Sequence, residues 1–106
     1  MNRGSVWWVT FDSAQGTEIR KTRPAVIISN DAANKYIPRV TIVPLTSNIK
    51  NVYPGESLVT VEGIQGKAMA NQIMTADKSR LKDKMGVLSK TDLLAVENAI
   101  RVHLGL

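Results

Sequence analysis

A small, mainly β domain of the α+β class is what this sequence predicts, and three observations predict it. Short runs rich in β-branched and aromatic residues recur along the chain, separated by clusters of glycine, proline, asparagine, aspartate and serine. Only the last stretch repeats apolar residues at helical spacing. The length of 106 residues suits one domain, residues 1–106 together, with no repeat or linker to mark a second. Several short strands and one terminal helix point to a strongly bent SH3-like β-barrel or half-barrel capped by that helix.

The first strand is Ser5-Val-Trp-Trp-Val-Thr-Phe11. Its alternation puts Trp7, Val9 and Phe11 on one face and Val6, Trp8 and Thr10 on the other, which places both tryptophans in the core. Asp12 to Thr22 reads as a long loop. The second strand starts at Arg23-Pro24, because a residue without an N–H belongs at the start or edge of a strand. It runs through Ala25-Val-Ile-Ile28 to the turn formers Ser29-Asn-Asp31. Arg39 to Leu45 is the third strand, with Pro44 near its end for the same reason.

A second loop, Ser47 to Glu56, carries the turn signal Pro54-Gly55. Ser57 to Val61 and Lys67 to Asn71 read as strands four and five. Between them, Glu62-Gly-Ile-Gln-Gly66 has the composition of a hairpin turn with two glycines free to take positive φ. Asp77 to Leu81 is expected to form one helical turn capped by Asp77, followed by an extended stretch from Met85 to Leu88. Ser89 and Asp92 open the helix, Leu93, Val96, Ile100 and Leu104 form its apolar stripe, and Gly105 stops it. His103 in the last turn suits the negative end of the helix dipole.

Composition narrows the chemistry. Fourteen Lys and Arg against nine Asp and Glu give a formal charge of +5 and an isoelectric point near 9.8, which favours a polyanionic partner. The absence of cysteine excludes disulfides, thiolate nucleophiles and cysteine zinc sites, and a single histidine excludes a two-histidine acid and base pair. Carboxylates occur singly, without the spacing of a divalent-metal loop. Chemistry without a metal or other cofactor is therefore expected. Gly63-Ile-Gln-Gly66 and Lys67 lack the spacing of a phosphate-binding P-loop. No run approaches bilayer length and Met1-Asn-Arg-Gly-Ser5 opens no secretory signal, so the chain reads as cytoplasmic.

The candidate site follows from register. If the second and third strands pair antiparallel about the turn between them, residues whose numbers sum to about 69 lie opposite each other. Arg23 then meets Thr46. Taken singly, Arg23 reads as a soluble edge flank and Thr46 as a β-former ending its strand. Brought together, a guanidinium and a hydroxyl suit an oxyanion, above all a phosphate. Next to them lies the basic loop Glu18-Ile-Arg20-Lys21-Thr-Arg23. Glu18 is its candidate proton acceptor, because arginine stays charged and is a poor base.

These residues also carry a resemblance. Arg3-Gly-Ser-Val-Trp-Trp-Val-Thr-Phe-Asp12, Gly16-Thr-Glu18, Arg23-Pro-Ala-Val-Ile-Ile-Ser-Asn-Asp31, Pro44-Leu-Thr-Ser47, Asn71-Gln72, Thr75-Ala-Asp-Lys-Ser-Arg-Leu81 and Leu104-Gly105 follow one another over nearly the whole chain. The set resembles the MazF/PemK/Kid toxins of bacterial toxin-antitoxin systems, with their CcdB/PemK-like fold.

The resemblance implies a homodimeric, metal-independent, sequence-selective endoribonuclease that cuts single-stranded RNA and is neutralised by an antitoxin with an acidic, partly disordered tail. It implies that Arg23 and Thr46 are active-site residues and that Glu18 is catalytic. Arg20, Lys21, Ser47, Lys50 and Tyr53 are then the expected RNA-binding residues. Kid-like members use an arginine and an aspartate on the strand before Gln72. Here Met69 and Asn71 stand instead, which favours the Arg23 and Thr46 arrangement. Two other readings predict no RNA cleavage: a CcdB-like toxin that binds gyrase through the terminal helix, and an SH3-like module that only binds nucleic acid.

Overall fold

The structure is a computed structural model that describes residues 1–11 and 21–106. Seven strands, β1 (Ser5–Phe11), β2 (Lys21–Ile27), β3 (Arg39–Thr46), β4 (Glu56–Val61), β5 (Ile64–Met69), β6 (Met74–Asp77) and β7 (Leu81–Val87), form one bent antiparallel sheet. Two helices, α1 (Asp31–Tyr36) and α2 (Lys90–Leu104), complete the fold. Strand order is β4-β5-β3-β2-β1-β7, with β6 also paired to β3.

β1 has the expected bounds. β2 begins earlier than expected, at Lys21, so Lys21 and Thr22 belong to a strand rather than a loop. The residues between β2 and β3, expected to be turn formers, contain α1. Asn30 caps this helix by accepting the Ala33 N–H at 2.8 Å, which explains why the segment looks turn-like in sequence. Asn34, buried in α1, is held by Ser29 through two side-chain hydrogen bonds.

The hairpin of β4 and β5 is tighter than expected. Its turn is Glu62-Gly63 alone, with φ of 50° and 76°, the left-handed pair that a two-residue turn needs to match the strands' twist. Gly66 is inside β5 and Asn71 in a 3-10 turn beyond it. β6 was not expected from sequence. Asp77 does cap the short turn that follows, accepting the Ser79 N–H at 2.9 Å.

Alternation along β2 and β3 divides the apolar side chains into two clusters on opposite faces of the sheet. On one face Val6, Val26, Val43, Leu45, Val59, Val61 and Ala68 pack under α2, which contributes Val96 with Leu93 and Ile100 beside it. Across the sheet, Val9, Ala25, Ile27, Val40, Ile42, Ala76 and Leu81 gather with Trp7 and Phe11. Leu104, expected in the helix stripe, is exposed.

Ser89 caps α2 by accepting the Asp92 N–H at 3.1 Å, and Gly105 ends it in the left-handed conformation. Asp92 accepts instead from the Thr60 N–H at 2.9 Å, which ties the helix to β4. The sheet does not close. β7 and β4 meet at Gly86 and Val61 but form no ladder among the described residues. No described helix is long and apolar enough to cross a membrane.

Candidate functional site

β2 and β3 pair as Ala25 with Pro44, Val26 with Val43 and Ile27 with Ile42, every pair of numbers summing to the expected 69. The ladder stops there. Pro24 and Pro44 donate no hydrogen bond, and beyond Pro44 β3 pairs instead with β5, Leu45 with Ala68 and Thr46 with Lys67. Arg23 is partnered by Val9 of β1. The direct Arg23 to Thr46 pairing expected from sequence is therefore not formed.

The two strands splay after the prolines, and a pocket of about 450 Å³ opens where they part. Arg23 and Pro24 from β2 line it together with Leu45, Thr46 and Ser47 from β3 and its exit. Its floor is apolar, built from Val59, Val61 and Met85, with Ile64, Gln65 and Gly66 of the hairpin on another side. This joins the sequence-predicted Arg23, Thr46 and Ser47 in one concavity.

Arg23 and Thr46 both have spare hydrogen-bonding capacity among the described residues. Arg23 is half-buried and makes no ion pair or side-chain hydrogen bond among the described residues. Thr46 Oγ1 accepts the Asn48 N–H at 3.3 Å, which leaves its own proton to donate. A cation and a hydroxyl donor among the residues lining one pocket match the needs of a phosphate.

Trp8 was missed. Expected in the core, it is 38% exposed and lines the pocket opposite Pro24, its cross-strand partner in β1 and β2. Strand alternation placed it on the correct face. What alternation does not reveal is that this face is uncovered at the splayed end, beyond the reach of α2.

The remaining predicted residues separate. Lys50 and Tyr53 are exposed on loop 47–55, which leaves the pocket at Ser47. Asn48 Oδ1 accepts the Lys50 N–H at 3.1 Å and Glu56 Oε1 accepts the Tyr53 N–H at 3.0 Å. Glu18 and Arg20 lie outside the described residues, as does the side chain of Lys21. Among the described residues, no group of three or more histidines, aspartates and glutamates converges to hold a metal ion.

Comparisons with known proteins give matches across the chain as a whole. The sequence profile of the PemK-like, MazF-like toxin of type II toxin-antitoxin systems matches residues 2–104. Endoribonuclease MazF9 of Mycobacterium tuberculosis is 41% identical, over 100% of this chain and 98% of its own length. The crystal structure of MazF from Deinococcus radiodurans superposes with a TM-score of 0.84 at 26% identity, covering 100% of this chain and 97% of that one. A mycobacterial endoribonuclease in complex with its cognate antitoxin superposes with a TM-score of 0.83 at 26% identity, covering 100% and 96%.

Proposed function

Since this chain belongs to the PemK-like, MazF-like toxins of type II toxin-antitoxin systems, we propose that it is an endoribonuclease that cuts single-stranded RNA at the pocket between Arg23 and Thr46. The observation that carries this reading is the pocket of about 450 Å³ itself, whose lining brings together Arg23, which makes no ion pair or side-chain hydrogen bond among the described residues, and Thr46, whose hydroxyl keeps a proton to donate. The relative from Mycobacterium tuberculosis, named an endoribonuclease, supports the same reading.

RNA carries its own nucleophile. The ribose 2′-hydroxyl attacks the adjacent phosphorus, the bond to the 5′-oxygen breaks, and the products are a 2′,3′-cyclic phosphate and a 5′-hydroxyl. No metal is required if the protein neutralises the phosphorane-like transition state and manages the two protons. Arg23 donates hydrogen bonds to the non-bridging oxygens and to the leaving oxygen, Thr46 positions the same phosphate through its hydroxyl, Glu18 takes the 2′-hydroxyl proton, and the departing 5′-oxygen takes a proton from water. Arg20, Lys21, Ser47, Lys50 and Tyr53 hold the flanking nucleotides, and Trp8 offers a ring face on which a base can stack.

The reading extends to partners and place. The protein works as a homodimer in the cytoplasm and is silenced by a cognate antitoxin whose acidic, partly disordered tail occupies the basic site. The solved mycobacterial complex of an endoribonuclease with its antitoxin supports that partner class.

The decisive test is incubation of purified protein with a long mixed-sequence RNA in EDTA. Discrete cuts ending in cyclic phosphate, lost in Arg23→Ala with the fold unchanged, are expected. Full activity in Arg23→Ala ends the assignment of the site. A substrate with 2′-deoxyribose at the scissile position should be bound and left intact, and its efficient cleavage rules out the internal nucleophile. The gyrase-binding and binding-only alternatives predict no RNA products at all.

A further inference from the structure

β5 buries a lysine. The Lys67 side chain is 8% exposed, and its Nζ lies 3.2 Å from Oε1 of Glu56, whose side chain is 9% exposed. The ammonium also donates to the backbone carbonyls of Lys50 at 3.3 Å and Asn51 at 3.4 Å. From the other side of the pair, Glu56 Oε1 accepts the Tyr53 N–H. Two buried opposite charges thus reach three backbone groups of a single loop, 47–55.

Stability is a weak reason for such a pair, because stripping two ions of water is costly and a well-packed apolar pair often holds a fold equally well. Conformational specificity is a better one. The loop it grips begins one residue after Thr46, and Thr46 is the cross-strand partner of Lys67. Within the loop, Asn51 adopts a φ of 53°, a left-handed bend that asparagine takes readily. On its outer surface the loop presents Lys50 and Tyr53, the latter 63% exposed.

We propose that the Glu56 and Lys67 pair is a positioning device that locks loop 47–55 into one conformation, so that Lys50 and Tyr53 meet the RNA in a fixed register. The pair sets affinity and the choice of cleavage sequence without touching the reacting phosphate. This inference rests on the endoribonuclease reading above. It adds two residues, Glu56 and Lys67, that determine selectivity from behind the contact surface.

Lys67→Met and the double variant Glu56→Leu with Lys67→Met test it, because the double variant removes the tether without leaving a lone buried charge. Amide hydrogen exchange across residues 48–55 should quicken by about tenfold in both, with exchange in β2 and β3 unchanged. KM for an RNA oligonucleotide bearing the preferred sequence should rise by about tenfold while kcat stays within about threefold. Cleavage of a mixed-sequence RNA should spread to secondary sites. Lys67→Arg, which keeps the charge and the donors, should retain the wild-type cutting pattern.

A double variant that folds with unchanged loop exchange, KM and cutting pattern overturns the proposal. So does a fall in kcat at constant KM, which would place the pair in the chemistry. If neither variant folds, the pair is a stability element and the inference is equally overturned. Should the wild-type protein cut no RNA, the endoribonuclease reading fails, and hydrogen exchange still reports whether the pair orders the loop.

Discussion

Gly66 approaches the backbone of Thr46 so closely that a Cβ built on it would lie 3.1 Å from the Thr46 carbonyl oxygen. Neither side can yield cheaply, since both are strand backbone, Thr46 paired with Lys67 between β3 and β5 and Gly66 with Val59 between β4 and β5. Gly66→Ala should therefore push Thr46 by a few tenths of an ångström from its place in the pocket. Reacting groups tolerate little misplacement, so a loss in kcat on the order of tenfold is expected, with only a small drop in the unfolding midpoint. Steady-state cleavage and thermal unfolding measured together check this, and undiminished kcat would mean that Thr46 is not positioned by this contact.

The Thr46 hydroxyl itself separates from its methyl by substitution. Thr46→Val keeps the shape and deletes the donor, whereas Thr46→Ser keeps the donor. Loss of a donor aimed at a developing phosphorane costs about 100-fold in kcat/KM, and the serine variant should stay within about tenfold of wild type. Equal activity in the valine and wild-type proteins would remove Thr46 from the chemistry and leave it a strand-ending residue.

Trp8 and Trp7 offer a built-in optical probe, because they face opposite sides of the same strand. Trp7 packs against the second core cluster and its Nε1 donates to Ser5 Oγ at 3.0 Å, while Trp8 lines the pocket. Binding of a non-cleavable 2′-deoxy oligonucleotide should quench fluorescence through Trp8 alone. Trp8→Phe should abolish the change and weaken binding modestly, whereas Trp8→Ala should raise the dissociation constant by about tenfold or more through lost stacking. Quenching that survives in Trp8→Phe would move the bound base elsewhere.

Much of this arrangement was legible in the sequence, for identifiable reasons. β1 and α2 announce themselves through local signals: aromatic and β-branched alternation in one, Ser89, Gly105 and a helical stripe in the other. The register of β2 against β3 was legible because apolar runs flanked by prolines leave few alternatives. The short α1 was not, because a six-residue helix capped by Asn30 has the composition of a turn. Glu62 hid the hairpin's turn, since a non-glycine residue at positive φ carries no sequence signal of its own. Lys67 looked like an ordinary strand lysine. Its role depends on Glu56 eleven residues earlier and on two carbonyls of a loop, and only tertiary structure brings these together.

The edge where the half-barrel nearly closes depends on Gly86. A Cβ there would lie 2.9 Å from Val61 Cγ1 and 3.0 Å from the Glu62 side chain, and Val61 is a buried member of the core under α2. Glu62 can swing away, but Val61 cannot. Gly86→Ala is accordingly expected to lower unfolding free energy by about 1–3 kcal/mol, the usual penalty for forcing a methyl into a packed core. Gly86→Ala with Val61→Ala makes room and should recover part of the loss from overpacking. Urea titration of the three proteins checks this, and a Gly86→Ala variant as stable as wild type would show that β7 and β4 do not press on each other there.

Acid sensitivity should appear at Asp77. Its carboxylate accepts hydrogen bonds from Ser79 and sits near Arg39 and Arg80, and these contacts, the backbone bond to Ser79 foremost, hold its pKa below the ordinary aspartate value. A group with a folded-state pKa depressed in this way stabilises the fold fully above its unfolded pKa, near about 4, and loses that contribution as pH falls through the lower folded value. The stability difference between wild type and Asp77→Ala should therefore be constant at neutral pH, shrink below about pH 4 and vanish once both states are protonated. Because the carboxylate is solvent-exposed, added salt should weaken the part owed to Arg39 and Arg80 and spare the capping bond to Ser79. A difference that stays flat through the acid range would show that the cap acts through packing of the turn rather than through its charge.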